Sequence, residues 1–355
     1  MTGVSSEPST FMFDEDKLRK AMPFELRKTS VQGAFTVPPP PPDFDPRTAS
    51  PRELIRAGYL WKRPDAASHP FARAAWDRVM SRKWKTIVPE FGPEGRSHHL
   101  RRAPRQASNG GYLNTSWAGG IINSSRSSPW YGVIAVWTIP QISQPPEASV
   151  YDEGFQGWEM SSWIGIDGYL PNNSNDLLQI GVTQQLLTNG QWGCFPWYEW
   201  WLEPPVPSGA PAYAKKSIQI TGFTVNPGDT VWASVQYVQS STGKPTSGYL
   251  YMGNETTGTS SGGIVLTPPH SADFNGSSVE WIVEAPDGGE GTSSLLKFTP
   301  VVFNAPVACG VDGIFGPWTA ADTGFLLDIE SAAVGGKPLT SSSFVSGSVT
   351  IDFIG

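Results

Sequence analysis

Ser217-Ile218-Gln219-Ile220-Thr221 alternates polar with apolar side chains, Asn226-Pro227-Gly228-Asp229 follows it, and Val231 to Val238 runs back, rich in valine and aromatics. Successive side chains of a strand point to opposite faces, so the first segment reads as a half-buried strand. Proline followed by glycine suits a tight turn, which makes the whole stretch a strand, a turn and a return strand. Farther out, Val133 to Ile139 is another β-branched run and stops at Pro140. Gly248 to Met252 reads as a strand ahead of the turn-rich Gly253 to Gly263, and Ser346 to Ile354 closes the chain as a strand. From Tyr112 onward no helical periodicity competes with this pattern. Short strands joined by Gly- and Pro-rich turns predict an all-β fold, an antiparallel β-sandwich over residues 109–355. No repeat of propeller length is visible.

The first 108 residues have a different character. Pro38 to Pro42 is a five-proline run, expected to be a stiff, extended linker. Ser50-Pro51-Arg52-Glu53 has the form of a capping box with proline at the first helical position, opening a short helix that should stop near Gly58. A second helix is expected from Pro70 to Arg82, with Phe71, Ala75 and Val79 on one stripe. The polar stretch Gln106 to Gly111, just behind Arg101, Arg102 and Arg105, is the expected boundary between leader and sandwich. This partly helical, proline-containing leader carries nineteen Lys or Arg against twelve Asp or Glu, a net +7. The body carries six against twenty, a net −14. Opposite charges of this size predict that the leader docks on its own body, as an inhibitory prosegment would, and that acid or salt loosens it.

Several classes are excluded or disfavoured. No run of about eighteen apolar residues exists, so no transmembrane helix and no membrane partner are expected. The basic residues of the leader are interspersed with acids, which argues against a nucleic-acid partner. Met1 to Arg19 lacks the apolar core of a secretory signal. Cys194 and Cys309 are the only cysteines, and whether they pair is open. The body holds one histidine, His270, which leaves a cysteine nucleophile without its usual partner and a zinc ion without ligands; no metal or cofactor is implied.

Four strands place a polar residue among tryptophans and glycines. Trp163 and Asp167 share one face of Ser162 to Asp167. Gln179 stands opposite Leu178 and Ile180, and Glu199 shares its face with Trp197 and Trp201. Glu280 and Glu284 point one way while Trp281 and Val283 point the other. A polar, aromatic, concave face of this kind suits binding or catalysis. Taken singly, Asp167 before Gly168 reads equally as a turn former, and Glu280 with Glu284 as the solvent face of an edge strand.

These segments resemble the eqolisins, the glutamic peptidases. The matching stretches are Asn114 to Gly119, Trp163 to Gly168, Leu177 to Gly181, Trp197 to Trp200 and Glu280 to Glu284, in the family's order. The resemblance implies a concanavalin-like jelly-roll sandwich and a secreted, monomeric endopeptidase acting on proteins or peptides. It places the catalytic pair on Gln179 and Glu284, with Trp163, Asp167, Trp197, Glu199 and Glu280 lining or supporting the site. Ile180 departs from the small polar residue usual in the family, on the strand's opposite face. Such a dyad would use Glu284 as general base and Gln179 as oxyanion donor. Free glutamate titrates near about 4.3, which implies work in acid. A glycan-binding jelly roll or glycosidase, or an inactive relative, is the alternative. Gly258-Thr259-Ser260-Ser261-Gly262 also fits a serine-hydrolase elbow but is expected to be a plain loop. Sequons at Asn114, Asn123, Asn172, Asn254 and Asn275 are compatible with secretion.

Overall fold

A computed structural model describes residues 22–355 except 23, 96–97, 99–103, 108–110, 125–128, 146–156, 173, 240–244, 270–274, 287–294, 311–312, 315–323 and 331–335. The N-terminal nineteen residues, His270 and the pair Arg101 and Arg102 therefore lie outside the described residues. Two large, mostly antiparallel sheets face each other. The first has at its centre Trp130–Thr138, Thr230–Gln239 and Pro245–Asn254. The second is built on Trp192–Leu202, Asp176–Leu187, Gly157–Asp167, Ser278–Glu284 and Trp117–Asn123, side by side in that order. Between them lies a core of Val133, Trp137, Ile164, Ile166, Ile180, Tyr198, Trp281 and Val283, all buried. The predicted strands 133–139, 217–221, 231–238, 248–252 and 346–354 are all present, within a few residues at their ends. Asn226 and Asp229 close the turn between two of them, with Gly228 at φ 92°.

Alternation explains why each strand serves two purposes. Odd-numbered residues of Ser278–Glu284 (Val279, Trp281, Val283) fill the core between the sheets, which turns Glu280, Ile282 and Glu284 to the opposite face. That face of the second sheet carries its own aromatic cluster of Trp117, Trp163, Trp197, Trp201 and Ile282. One expected loop proves to be a strand: Thr259–Leu266 pairs with Pro245–Asn254. Its glycines are close-packing residues, since a Cβ on Gly263 would lie 2.5 Å from the Tyr249 hydroxyl. Ser260 is buried there and accepts from Tyr251 Oη at 2.9 Å, so the elbow-like motif has no exposed nucleophile.

The leader is more deeply built in than its charge implies. Helix α1 (Pro51–Arg56) has the predicted capping box, with Glu53 N–H donating to Ser50 Oγ and Ser50 N–H to Glu53 Oε2. Helix α2 (Pro70–Met80) buries Ala72, Ala75, Trp76, Val79 and Met80, while Phe71 is only partly covered. Together with Met22, Phe24, Phe35, Leu54 and Trp61 they form a second apolar core on the outer face of the first sheet, against Ile134, Val136, Trp232, Tyr249 and Tyr251. The proline run has no regular structure, yet the strand Ala34–Thr36 before it and α1 after it share this core. Ion pairs add to the contact: Arg78 and Arg82 both reach the buried Glu255, and Arg105 reaches Glu330. The two cysteines are free thiols, and burial pushes both up to about 12. Asn114 and Asn254 are buried and hydrogen-bonded, unsuited as glycan acceptors. No helix among the described residues is long and apolar enough to cross a membrane.

Candidate active site

Strand register assembles the site on the aromatic face of the second sheet. Glu284 pairs with Ser161, and Trp163, two residues farther along that strand, pairs with Gly181. Gly181 in turn faces Trp197, and Gln179 faces Glu199. Glycine is required between the two tryptophans: a Cβ on Gly181 would lie 2.4 Å from Trp163 Cβ and 3.0 Å from the Trp197 ring. The rings can therefore lie over the strand instead of standing off it. Trp117 meets Trp163 edge-on, with centroids 4.9 Å apart, and walls the other side.

Within these walls the polar groups meet in a short chain. Trp163 Nε1 donates to Glu284 Oε2 at 2.9 Å. Gln179 Nε2 donates to Glu199 Oε2 at 3.0 Å, while its Oε1 is buried with no donor among the described residues. Gln179, Glu199 and Glu284 are fully buried. The structure brings Gln179, Glu284, Trp163, Trp197 and Glu199 together on one face of the sheet.

Two other expected residues have different surroundings. Asp167 adopts φ 71°, which swings its carboxylate away from the alternation expected of the strand. It accepts hydrogen bonds from the backbone N–H of Gly276 and Ser277, the Ser277 hydroxyl and Tyr237 Oη, and so anchors the entry to Ser278–Glu284. Burial nevertheless pushes its pKa up, against those bonds. Glu280 lies in the same register row as Gln179, across Gly165. Neither of its oxygens has a well-aligned partner among the described residues. Burial drives its pKa well up; the nearby Ser278 hydroxyl opposes the shift and Asp167 adds to it. Burial thus favours the protonated form of Glu280.

The residue that sequence reasoning missed is His98, from the leader, 1 % exposed. Its ring stacks on Trp197 at 3.9 Å between centroids and 3° between planes, and its Nδ1 lies 3.1 Å from Glu284 Oε2. Its backbone N–H donates to Glu199 Oε2 at 3.0 Å, and its carbonyl accepts from Gln179 Nε2 at 2.6 Å. On either side of it in sequence, Glu90–Glu94 pairs with one edge of this sheet and Arg105–Gln106 with the opposite edge. The only signal in the sequence is the pair His98-His99 in a basic stretch, and the charge reading counted only Lys and Arg.

The chain is similar to known proteins. Aspergillopepsin-2 of Aspergillus niger is 27 % identical over 255 residues, 66 % of this chain and 80 % of that protein. A solved structure, the alginate lyase Aly36B, aligns over 56 % of this chain and 73 % of its own at 14 % identity, but with a TM-score of 0.24 it carries no weight. The model of the Peptidase A4 family matches residues 115–353. That match spans more than half of the chain, and the protein belongs to the Peptidase A4 family of glutamic endopeptidases.

Proposed function

We propose that this endopeptidase works in acid through a dyad in which Glu284 is the general base and Gln179 the oxyanion donor. The observation that carries the reading is the contact of Gln179 Nε2 with a backbone carbonyl, that of His98, at 2.6 Å. A substrate carbonyl at that position would have the amide N–H on its oxygen and Glu284 on the same face. Glu284 then takes a proton from water as the water attacks the carbonyl carbon. The C–N bond breaks as the same proton passes from Glu284 to the leaving amine. Gln179 N–H holds the negative oxygen, and Glu199 fixes the amide's orientation. Gln179 Oε1 is left to orient the water. The test is cleavage of a denatured protein from pH 2 to pH 7, with wild type beside Glu284→Gln; equal activity of the two would overturn the assignment.

Glu280 provides an internal control. It stands about 13 Å from Glu284 along the strand, at 3.2–3.4 Å per residue. Glu280→Gln should keep most of the activity, since a neutral carboxyl is exchanged for a neutral amide of the same shape. Stability should respond instead. A carboxyl whose folded pKa is raised binds its proton more tightly folded than unfolded. Its contribution is fully present below the ordinary glutamate range and is lost as the pH rises from there toward the folded value. Glu280→Gln removes that loss, so its Tm should exceed that of the wild type at pH 7 and converge with it near pH 4. A difference in Tm that does not change with pH would refute the buried, neutral state.

The leader fits as the inhibitor of this site. His98 covers Glu284 with its ring and Gln179 with its carbonyl, where substrate would have to lie. His98→Ala keeps the backbone contacts and removes the ring. A hydrogen bond to a charged group is worth about 1.5–3 kcal/mol, so initial rates at acid pH should rise about tenfold to a hundredfold. Progress curves of the intact chain measure this. An unchanged initial rate would assign the leader some other role.

A further inference from the structure

The site occupies only part of its face of the second sheet. Glu284 pairs with Ser161, and Glu159, two residues farther along the same strand, pairs with Gln185. At 3.2–3.4 Å per residue, that row lies about 6.5 Å beyond the row of Glu284. A cavity of about 330 Å³ opens here, lined by Glu159, Thr183, Gln185, Phe195, Trp197 and Gln219, with Gly95 and Ser217 at one corner. Its volume falls at the lower end of the roughly 300–1,000 Å³ of ligand pockets. Trp197 is shared between the cavity and the site. A glycine makes the room: a Cβ on Gly193 would collide with the Phe195 ring, so that ring lies down over Gly193 as Trp197 does over Gly181.

Of the lining residues only Glu159 carries a charge. It is 4 % exposed, and Gln185 Nε2 donates to its Oε1 at 2.5 Å, which fixes the direction of the carboxylate. The Thr183 hydroxyl is engaged with that of Ser161, 2.6 Å away. The remaining lining groups are amides, a hydroxyl, glycine and two aromatic rings, and none is a cation. We propose that this cavity is a specificity subsite for a Lys or Arg side chain of the substrate, and that Glu159 is the residue that selects it. An apolar side chain would strip water from the carboxylate and return no hydrogen bond. An acidic one would be repelled. A guanidinium or ammonium replaces that water with a charge-assisted hydrogen bond. It is also attracted to an aromatic face within about 6 Å, and Phe195 and Trp197 supply two rings. Glu159 and Gln185 lie outside the five stretches that resemble the eqolisins, which makes the preference a property of this chain. The inference rests on Glu284 as the base, because that sets the cleaved bond beside the cavity. An extended substrate then carries the selected side chain within about three residues of that bond.

The test is digestion of a mixture of synthetic peptides by His98→Ala and by His98→Ala/Glu159→Gln, with products identified by mass spectrometry. It is run at pH 5, above the ordinary glutamate value of about 4.3. Lys or Arg should be enriched at one position near the cleaved bond. For matched peptides with Arg or Gln at that position, kcat/KM should differ by about tenfold to a hundredfold, the worth of a hydrogen bond to a charged group. The ratio should fall to near one with Glu159→Gln, and Glu159→Lys should favour Glu over Arg. Because it is a ratio, it is unaffected by any loss of folded protein. The absence of a basic preference in His98→Ala, or a preference that survives Glu159→Gln, overturns the proposal. A second readout needs no cleavage: binding of butylguanidinium to the full chain by isothermal titration calorimetry at pH 5, with wild type beside Glu159→Gln. Binding that requires Glu159, in a chain that cleaves no peptide, upholds the cation subsite and rejects the peptidase reading. A chain that neither cleaves nor binds overturns the proposal.

Discussion

Glu284→Gln should lower kcat/KM by about 10²–10⁴, the range that a positioned general base contributes. The exchange keeps the side chain's shape, and the new amide oxygen can still accept from Trp163 Nε1, now 2.9 Å from the carboxylate. Folding should therefore be unaffected, and the loss should fall on kcat with KM little changed. Glu284 is walled by Trp163, Trp117 and the neighbouring strands, and Glu280 stands four register rows away along its strand. Chelators and reagents for serine or thiol should leave the wild type active. The decisive measurement is steady-state cleavage of a soluble peptide by His98→Ala and by His98→Ala/Glu284→Gln, so that the leader does not obscure the comparison. A double variant within tenfold of its parent would show that the base lies elsewhere.

Gln179→Ala is expected to lower kcat by about 10²–10³, or roughly 2.7–4 kcal/mol, the cost of losing one preorganised oxyanion donor. The donor here is held before any substrate arrives: Glu199 Oε2 accepts from the same Nε2, and both side chains are fully buried. Truncation also leaves Glu199 with one fewer partner in a buried site, which adds a stability cost of order 1–3 kcal/mol. The two effects separate by measurement, since Tm reports the second and kcat in the folded range reports the first. Gln179→Glu keeps the contact geometry but brings a second carboxyl against Glu199. It should recover little activity where both are ionised and more as the pH falls. A Gln179→Ala variant with normal kcat and raised KM would reduce the amide to a substrate-binding group.

The sandwich was legible because its signal is local. Alternation in Ser217–Thr221 and Glu280–Glu284 states which side chains share a face, and strands obey it whatever they pair with. The capping box at Ser50 was legible for the same reason: its partners lie three residues apart. Where reading failed, the deciding contact was remote. Gly253 to Gly263 reads as turn-rich by composition, but Tyr249 and Tyr251 pack against Gly263 and Ser260 and hold Thr259–Leu266 as a strand. The stripe of Phe71, Ala75 and Val79 on α2 puts Ala75 and Val79 in the core as expected, but Phe71 is only partly covered and Trp76, off that stripe, is fully buried with them. Asp167 left the alternation because its backbone turns to a positive φ and its carboxylate is claimed by Tyr237 and the 276–277 backbone.

The division is clearest at the site itself. Sequence alone determined the strand faces that carry Gln179, Glu199 and Glu284, because side-chain alternation needs only the chain's own backbone. It also determined the opposite charges of leader and body. Tertiary structure alone decided which carboxylate meets Trp163, which is buried with no well-aligned partner among the described residues, and that a histidine 81 residues upstream of Gln179 lays its carbonyl on that amide. Those outcomes depend on strand register and on the path of the leader, and both are set by contacts between residues too far apart in sequence for any local pattern to record.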